Sequence, residues 1–283
     1  MTFIPLDEVR PDCRTCIDTG NDNAGKALDL SGGSFLAAVT GQKEMEIRQM
    51  KGKGRSLKKA LGRNPLTVIA EVKKASPSKG VISFDFDPGS RLGKYERGGA
   101  GAISVLTDSK FFSGGTDILR NIRSITDLPV LRKDFILDPF QVYESKLLGA
   151  DIVLLILAIL DDGKLAQLLE IARSIGLETI LEVHNEGELE RALRTDGKII
   201  GINNRNLDDF SVDLSTTERL MDKYRELAPE GGRFFISESG IRTSEDVKVL
   251  LSTGVRGVLV GETLMRAERP DLLIRKFLDT AKA

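Results

Sequence analysis

The sequence predicts a (β/α)8 barrel, a TIM barrel of eight parallel strands, and two regularities predict it. Short apolar runs recur eight times from Thr67 onward, and amphipathic stretches separate them, several followed by a glycine-containing link. Strands of near-continuous Val, Ile and Leu alternating with helices mean a parallel sheet covered on both faces. Eight such units over about 215 residues match the barrel count. A doubly wound open sheet is the alternative. It calls for a glycine-rich phosphate loop after the first strand, and Glu71-Val72-Lys73-Lys74-Ala75-Ser76 contains no glycine.

The expected strands are Thr67–Val72, Ala102–Leu106, Pro129–Leu131, Asp151–Leu157, Thr179–Val183, Ile199–Ile202, Arg233–Ile236 and Val258–Val260. The expected helices are Pro88–Arg97, Asp117–Ile125, Pro139–Leu148, Gly163–Ser174, Glu186–Arg194, Ser215–Leu227, Ser244–Leu251 and Asp271–Lys282. Gly98-Gly99, Gly149, Gly176 and Gly254 follow helices, the usual stop position. Ahead of the barrel, Ser34–Gln49 has the spacing of a further helix. Residues 1–33 mix Pro, Gly, Asn and Asp and are expected to form an extension, partly disordered or loosely packed. Residues 34–283 make one barrel domain with that extra helix.

Composition narrows the function. The chain of 283 residues is 41% hydrophobic and 29% charged, which suits a soluble globular protein able to bury a large core. A net charge of −1 argues against a nucleic-acid footprint. The one basic stretch, Lys51, Lys53, Arg55, Lys58 and Lys59, reads as a solvated helix end and loop. The longest apolar run, Ile152–Leu160, is about half the eighteen or so residues needed to span a bilayer. Met1–Arg10 lacks the apolar region of a secretory signal, so the expected setting is cytoplasmic. Cys13 and Cys16 form a lone CxxC, two of the four ligands that structural zinc wants, and no metal is expected.

Active sites of this barrel lie at the C-terminal ends of the strands. The polar residues there are Glu71 and Lys73; Thr107 and Asp108; Arg132, Lys133 and Asp134; Glu182 and His184; Asn203, Asn204 and Arg205; Glu238 and Ser239; and Glu262. Glu71 and Glu182 directly follow apolar residues. A carboxylate buried there needs a partner, and Lys73 and Lys133 are the obvious ones. A lysine acting as an acid near neutral pH is expected to have a lowered pKa, through crowded cations and partial burial. The loops after the last two strands carry Gly240 and Gly261, where backbone N–H groups approach an anion closely. Glu262 is expected to offer only its N–H to a phosphate. His184, the single histidine, reads as a rim residue, because no nucleophile motif accompanies it.

These residues fall in motifs that resemble the indole-3-glycerol-phosphate synthase family. They are Val68-Ile69-Ala70-Glu71-Val72-Lys73-Lys74-Ala75-Ser76-Pro77-Ser78-Lys79-Gly80, Ser104–Asp108 with Phe111-Phe112, Leu131-Arg132-Lys133-Asp134-Phe135-Ile136, Leu181–His184, Ile200–Leu207, Ser237–Ile241 and Val260–Glu262. They run in unbroken order over about residues 34–280, and the first and third are the most specific.

The resemblance implies a cofactor-free lyase of tryptophan biosynthesis. Its substrate is the anionic sugar phosphate 1-(2-carboxyphenylamino)-1-deoxyribulose 5-phosphate, and its products are indole-3-glycerol phosphate, carbon dioxide and water. It implies Lys133 as the acid of ring closure, Glu182 as the base of dehydration, and Lys73 as the partner of the anthranilate carboxylate and a second acid. Glu71, Asn203, Arg205, Glu238 and Ser239 would orient substrate and lysines, and Ser76 would bind the carboxylate. Phe112 and Phe135 would meet the aromatic ring. Gly240, Gly261 and the N–H of Glu262 would clamp the phosphate. The resemblance also implies that Ser34–Gln49 caps the barrel mouth. Transient contacts with enzymes of the same pathway are expected, and none with nucleic acid or membrane.

Rival readings remain at this stage. A phosphoribosylanthranilate isomerase would want a Cys and an Asp, and the barrel has no Cys. A Schiff-base aldolase would use Lys133 or Lys73 as the nucleophile. A non-catalytic barrel that binds a phosphorylated metabolite, or a scaffold subunit of a pathway complex, would have no use for Lys73, Lys133 and Glu182 together.

Overall fold

The computed structural model describes residues 55–73, the backbone of 75–76 and 80–81, and residues 87–228 and 230–282. The expected extension 1–33 with Cys13 and Cys16, and the expected helix Ser34–Gln49, lie outside the described residues.

Eight parallel strands close into a barrel in chain order. They are β1 Thr67–Val72, β2 Ala102–Leu106, β3 Val130–Lys133, β4 Ile152–Ile156, β5 Glu178–Val183, β6 Ile199–Asn203, β7 Phe234–Glu238 and β8 Gly257–Val260. β1 pairs with both β2 and β8, which closes the ring. The expected and observed boundaries differ most at the C-terminal ends of β3 and β7, by two residues each, and β6 runs one residue further than expected. The apolar runs stop short, but the ladders continue through Lys133 opposite Leu106 and through Asn203 opposite Glu238. The polar residues of the rim are therefore held by strand hydrogen bonds.

The helices start and stop for local reasons. Asp87 accepts from the N–H groups of Gly89 and Ser90, Pro88 opens the helix Pro88–Gly98, and Gly99 ends it at φ +92°. Asp138 and Thr243 each form a reciprocal capping box, with Gln141 and Asp246 respectively. Glycine supplies the left-handed backbone there without a Cβ penalty.

Strand side chains alternate between two cores. Val68, Val105, Val153, Leu155, Leu181 and Ile202 face the helices. Ile69, Leu131, Leu154, Ile180, Ile236 and Leu259 fill the barrel interior. The interior is closed at its N-terminal end by a helix that the sequence reading missed, Leu57–Arg63. Ser56 caps it by accepting from the N–H of Lys59, and Ser56 also bonds Glu178 at the start of β5. Leu57 and Leu61 are fully buried against the barrel interior. Lys58 and Lys59 remain exposed, as expected for the basic stretch, but the leucines beside them form the plug. Two further helices, Ser109–Phe112 and Glu262–Arg266, and a short antiparallel hairpin of Ala75–Ser76 with Gly80–Val81 were also not expected.

Truncating the plug should leave a cavity that the barrel cannot collapse around. Leu61→Ala is expected to cost about 2–5 kcal/mol in urea unfolding. A loss below about 1 kcal/mol would mean that the helix is not part of the core.

Candidate active site

Period-two alternation carries each interior strand position outward to the mouth. Ile69 is followed by Glu71 and Lys73, Leu131 by Lys133, Ile180 by Glu182, Ile236 by Glu238, and Leu259 by Gly261, each two residues on. These positions open into one cavity of about 890 Å³ at the C-terminal ends of the strands. Thirteen of the fourteen sequence-predicted site residues line it: Glu71, Lys73, Phe112, Lys133, Phe135, Glu182, Asn203, Arg205, Glu238, Ser239, Gly240, Gly261 and Glu262. Ser76 lies in the hairpin beside it, with its side chain outside the described residues.

The polar floor is a linked set of charges. The Lys133 ammonium donates to Glu182 Oε2 at 2.9 Å and to Glu238 Oε2 at 3.2 Å. Lys73 pairs with Glu71 at 2.8 Å. Asn203 donates to Glu182 Oε1 at 3.1 Å, and its own carbonyl accepts from Ser239 Oγ at 2.8 Å and from the Arg205 N–H at 3.1 Å. Glu71, Glu182 and Glu238 are almost fully buried.

Two glycines make this packing fit. A Cβ on Gly201 would sit 2.2 Å from Glu238 Oε1, and one on Gly261 would sit 2.1 Å from Glu71 Oε1 and 2.8 Å from Lys73 Nζ. Gly261 therefore has a second use beside any phosphate: it leaves room for the Lys73–Glu71 pair.

The electrostatics reverse one expectation. Lys133 is surrounded by anions, not by crowded cations. Burial alone would lower its pKa, but Glu182, Glu238 and Glu71 outweigh burial and raise it. It rests as a firmly held ammonium. The two carboxylates divide. Burial would raise Glu182, yet Lys133 and His184 hold it well below the usual carboxylate range. Glu238 is pushed up to about 7, chiefly by burial, with Lys133 opposing and the Glu182 charge adding to the rise. Its Oε1 has no hydrogen-bond partner among the described residues.

The remaining walls differ in character. Phe135 packs against Phe111 and Phe112 with ring centroids 6.4 and 6.3 Å away, giving an aromatic side. The loop after β6 adds Leu207, Phe210 and Val212, which the sequence reading did not single out. Arg205 braces that loop by donating to the Phe210 carbonyl at 3.0 Å. Beside that loop lie the two glycine turns, the first packed so closely that a Cβ on Gly240 would meet Val212. Ser239 takes a left-handed backbone, φ +67°, strained for a residue with a Cβ, and Gly240 follows at φ +84°. The turn is fixed by Asn204, whose amide donates to Ser237 Oγ, the Glu238 carbonyl and the Ser239 carbonyl. Glu262 directs its carboxylate to Arg266 at 3.0 Å.

Four rim residues, Thr107, Arg132, His184 and Asn204, do not line the cavity. Arg132 points outward by strand parity and is buried against Thr107, Asp134, Glu144 and Ser145, bracing the β3 loop. His184 lies behind Glu182. Among the described residues, no group of three or more His, Cys, Asp or Glu is arranged to hold a metal ion, and no helix is long and apolar enough to cross a membrane.

Comparison with known proteins agrees with this geometry. The family model for indole-3-glycerol phosphate synthase matches residues 36–277. The indole-3-glycerol phosphate synthase of Petrotoga mobilis is 48% identical over 240 residues, covering 85% of this chain and 95% of its own. The enzyme of that name from Lachnospira eligens is 47% identical over 224 residues, covering 79% and 83%. That of Polaromonas naphthalenivorans is 50% identical over 207 residues, covering 73% and 77%. Among solved structures, thiamine phosphate pyrophosphorylase from Pyrococcus furiosus aligns with a TM-score of 0.58 at 18% identity, over 78% of this chain and 97% of that one. That last likeness shows the barrel fold alone. With the family model spanning most of the chain and the site residues gathered at one barrel mouth, the chain belongs to the indole-3-glycerol phosphate synthase family.

Proposed function

We propose that this chain closes an indole ring. It converts 1-(2-carboxyphenylamino)-1-deoxyribulose 5-phosphate to indole-3-glycerol phosphate, releasing carbon dioxide and water. The observation that carries this reading is one ammonium, Lys133, held between two buried carboxylates at the floor of a cavity with an aromatic wall and a wall of glycine turns.

In this reading the anthranilate ring lies against Phe112 and Phe135, with Phe111 beside them. Lys73 and Ser76 meet its carboxylate. The phosphate lies at Gly240, Gly261 and the N–H of Glu262, with the Glu262 carboxylate turned to Arg266. Arg205 and Ser239 orient the sugar end. Such anchoring at both ends brings the aromatic carbon to the ketone carbon without water between them.

Lys133 protonates the ketone oxygen as the new carbon–carbon bond forms. The anions around it keep it protonated at neutral pH, the form an acid starts from, and also hold that proton more tightly than a free lysine would. Loss of carbon dioxide restores the aromatic ring. The new hydroxyl then leaves as water with a proton from Lys73, the second acid, while Glu182 takes the proton lost from the substrate. Glu182 has the low pKa of a carboxylate kept ionised. Glu71, Asn203 and Glu238 hold the lysines and the base in line. Proton transfers of this type contribute about 10²–10⁴-fold each. A cytoplasmic setting and transient contacts with neighbouring enzymes of the same pathway belong to the same reading.

Two outcomes test it. Purified protein mixed with the substrate in the presence of a chelator should develop indole fluorescence. Lys133→Ala should lower kcat by at least about 10²-fold, and it should also lower the melting temperature, since it leaves the buried Glu182 and Glu238 carboxylates without their shared cation. Near-normal turnover by the folded variant would remove the acid role from Lys133.

A further prediction concerns Glu238. A carboxyl whose folded pKa is raised opposes folding as pH climbs. Here that opposition begins near the ordinary 4.5 and is complete above about 7. Glu238→Gln should therefore stabilise the protein at pH 8 and not at pH 4, measured by urea unfolding. An equal difference at both pH values would contradict the raised value.

A further inference from the structure

His184 lines no part of the cavity, yet it touches the residue assigned as the base. Its Nε2 lies 3.2 Å from Glu182 Oε1, off the line of a hydrogen bond. On the other side of the ring, Nδ1 lies 2.9 Å from Glu188 Oε2. Glu188 is itself pinned: the same oxygen accepts the His184 backbone N–H at 2.9 Å, and Oε1 accepts from Asn185 Nδ2 at 2.7 Å. An imidazole between two carboxylates has a donor for each only when both nitrogens are protonated. The Glu182 carboxylate thus has a cation at each oxygen: Lys133 at Oε2 and His184 at Oε1.

The consequence concerns timing. An acid that gives up its proton leaves a neutral amine and withdraws a positive charge from the base beside it. A base supported by Lys133 alone would become easier to protonate at that moment, before its own step. We propose that His184, clamped by Glu188 on the helix Glu186–Leu193, is a positioning residue that fixes Glu182 Oε1 and supplies the cation that persists when Lys133 has donated its proton. The charged groups around the pair agree. Lys133 on β3 faces it from one side, Glu238 on β7 and Glu71 on β1 act on it through Lys133, Asn203 on β6 is neutral, and Glu188 alone faces the far nitrogen. Burial would lower the ring's pKa, but the contacts with Glu182 and Glu188 outweigh it and lift the ring to about 9.

The inference rests on Glu182 being the base, and the test separates the two claims. The chain has a single histidine, so an NMR titration of the tag-free protein reports His184 without any activity assay. The ring should titrate near 9, and Glu182→Gln and Glu188→Gln should each lower that value. Titration near the free value of about 6.5, insensitive to Glu182→Gln, overturns the proposal.

Kinetics give the second arm. His184→Gln should move the acid limb of the kcat profile up by about one pH unit while KM stays within about twofold. An unmoved limb, or a change in KM alone, also overturns it. Should His184→Gln fail to fold, the wild-type and Glu188→Gln titrations still decide. A histidine that titrates near 9 in a protein that turns over no substrate would count against the reading of the active site and leave the charge arrangement standing.

Discussion

The ammonium of Lys133 between Glu182 and Glu238 is the interaction on which the rest of this structure depends. Each of these groups alone would be costly at the bottom of an apolar cavity. Together they compensate one another only if their geometry is held. The barrel supplies that geometry. Lys133 and Glu238 are the last hydrogen-bonded residues of their strands, and Glu182 is the last but one of its strand. Gly201 leaves the space that Glu238 occupies. The compensation is also incomplete, because two carboxylates share one nearby lysine. Glu238 carries the imbalance as a raised pKa, and Glu182 remains the ionised member.

Around this centre lies a layer of side chains that never reach the cavity. Arg132 ties β2 and β3 to the loop that carries Phe135. Asn204 ties the strained Ser239 turn to β7, and its own carbonyl accepts from Thr217 on the following helix. His184 and Glu188 stand behind Glu182. Each spends buried hydrogen bonds on holding a neighbour, which is how an active site on a rigid barrel keeps its reacting groups in register. The apolar walls belong to loops, so substrate shape is set by segments distinct from the strands that carry the proton chemistry.

Much of this was legible in the sequence. The eight strands and the eight principal helices follow from apolar runs, caps and terminal glycines. The cavity residues follow from the polar positions where those runs end, and the family motifs assign their roles. What escaped has physical reasons. The plug Leu57–Arg63 spans only seven residues, too few for a period to stand out, and its exposed lysines mask the two leucines that matter. The strand ends ran past the apolar runs because backbone ladders are indifferent to side-chain polarity. Alternation from Leu131 could have placed Arg132 outside the cavity before any coordinates. The Lys133 pKa could not be read at all, since its direction turns on which charges stand within a few ångströms. Leu207, Phe210 and Val212 look like ordinary loop residues until β6 and its neighbours bring them over the mouth.

A double-mutant cycle on kcat/KM with Lys133→Ala and Glu182→Gln measures the interdependence of acid and base most directly. If the two work as one buried unit, the double variant should be scarcely slower than the worse single variant. Losses that multiply, so that the double variant is slowed by the product of the two single effects, would mean that the ammonium and the carboxylate act independently.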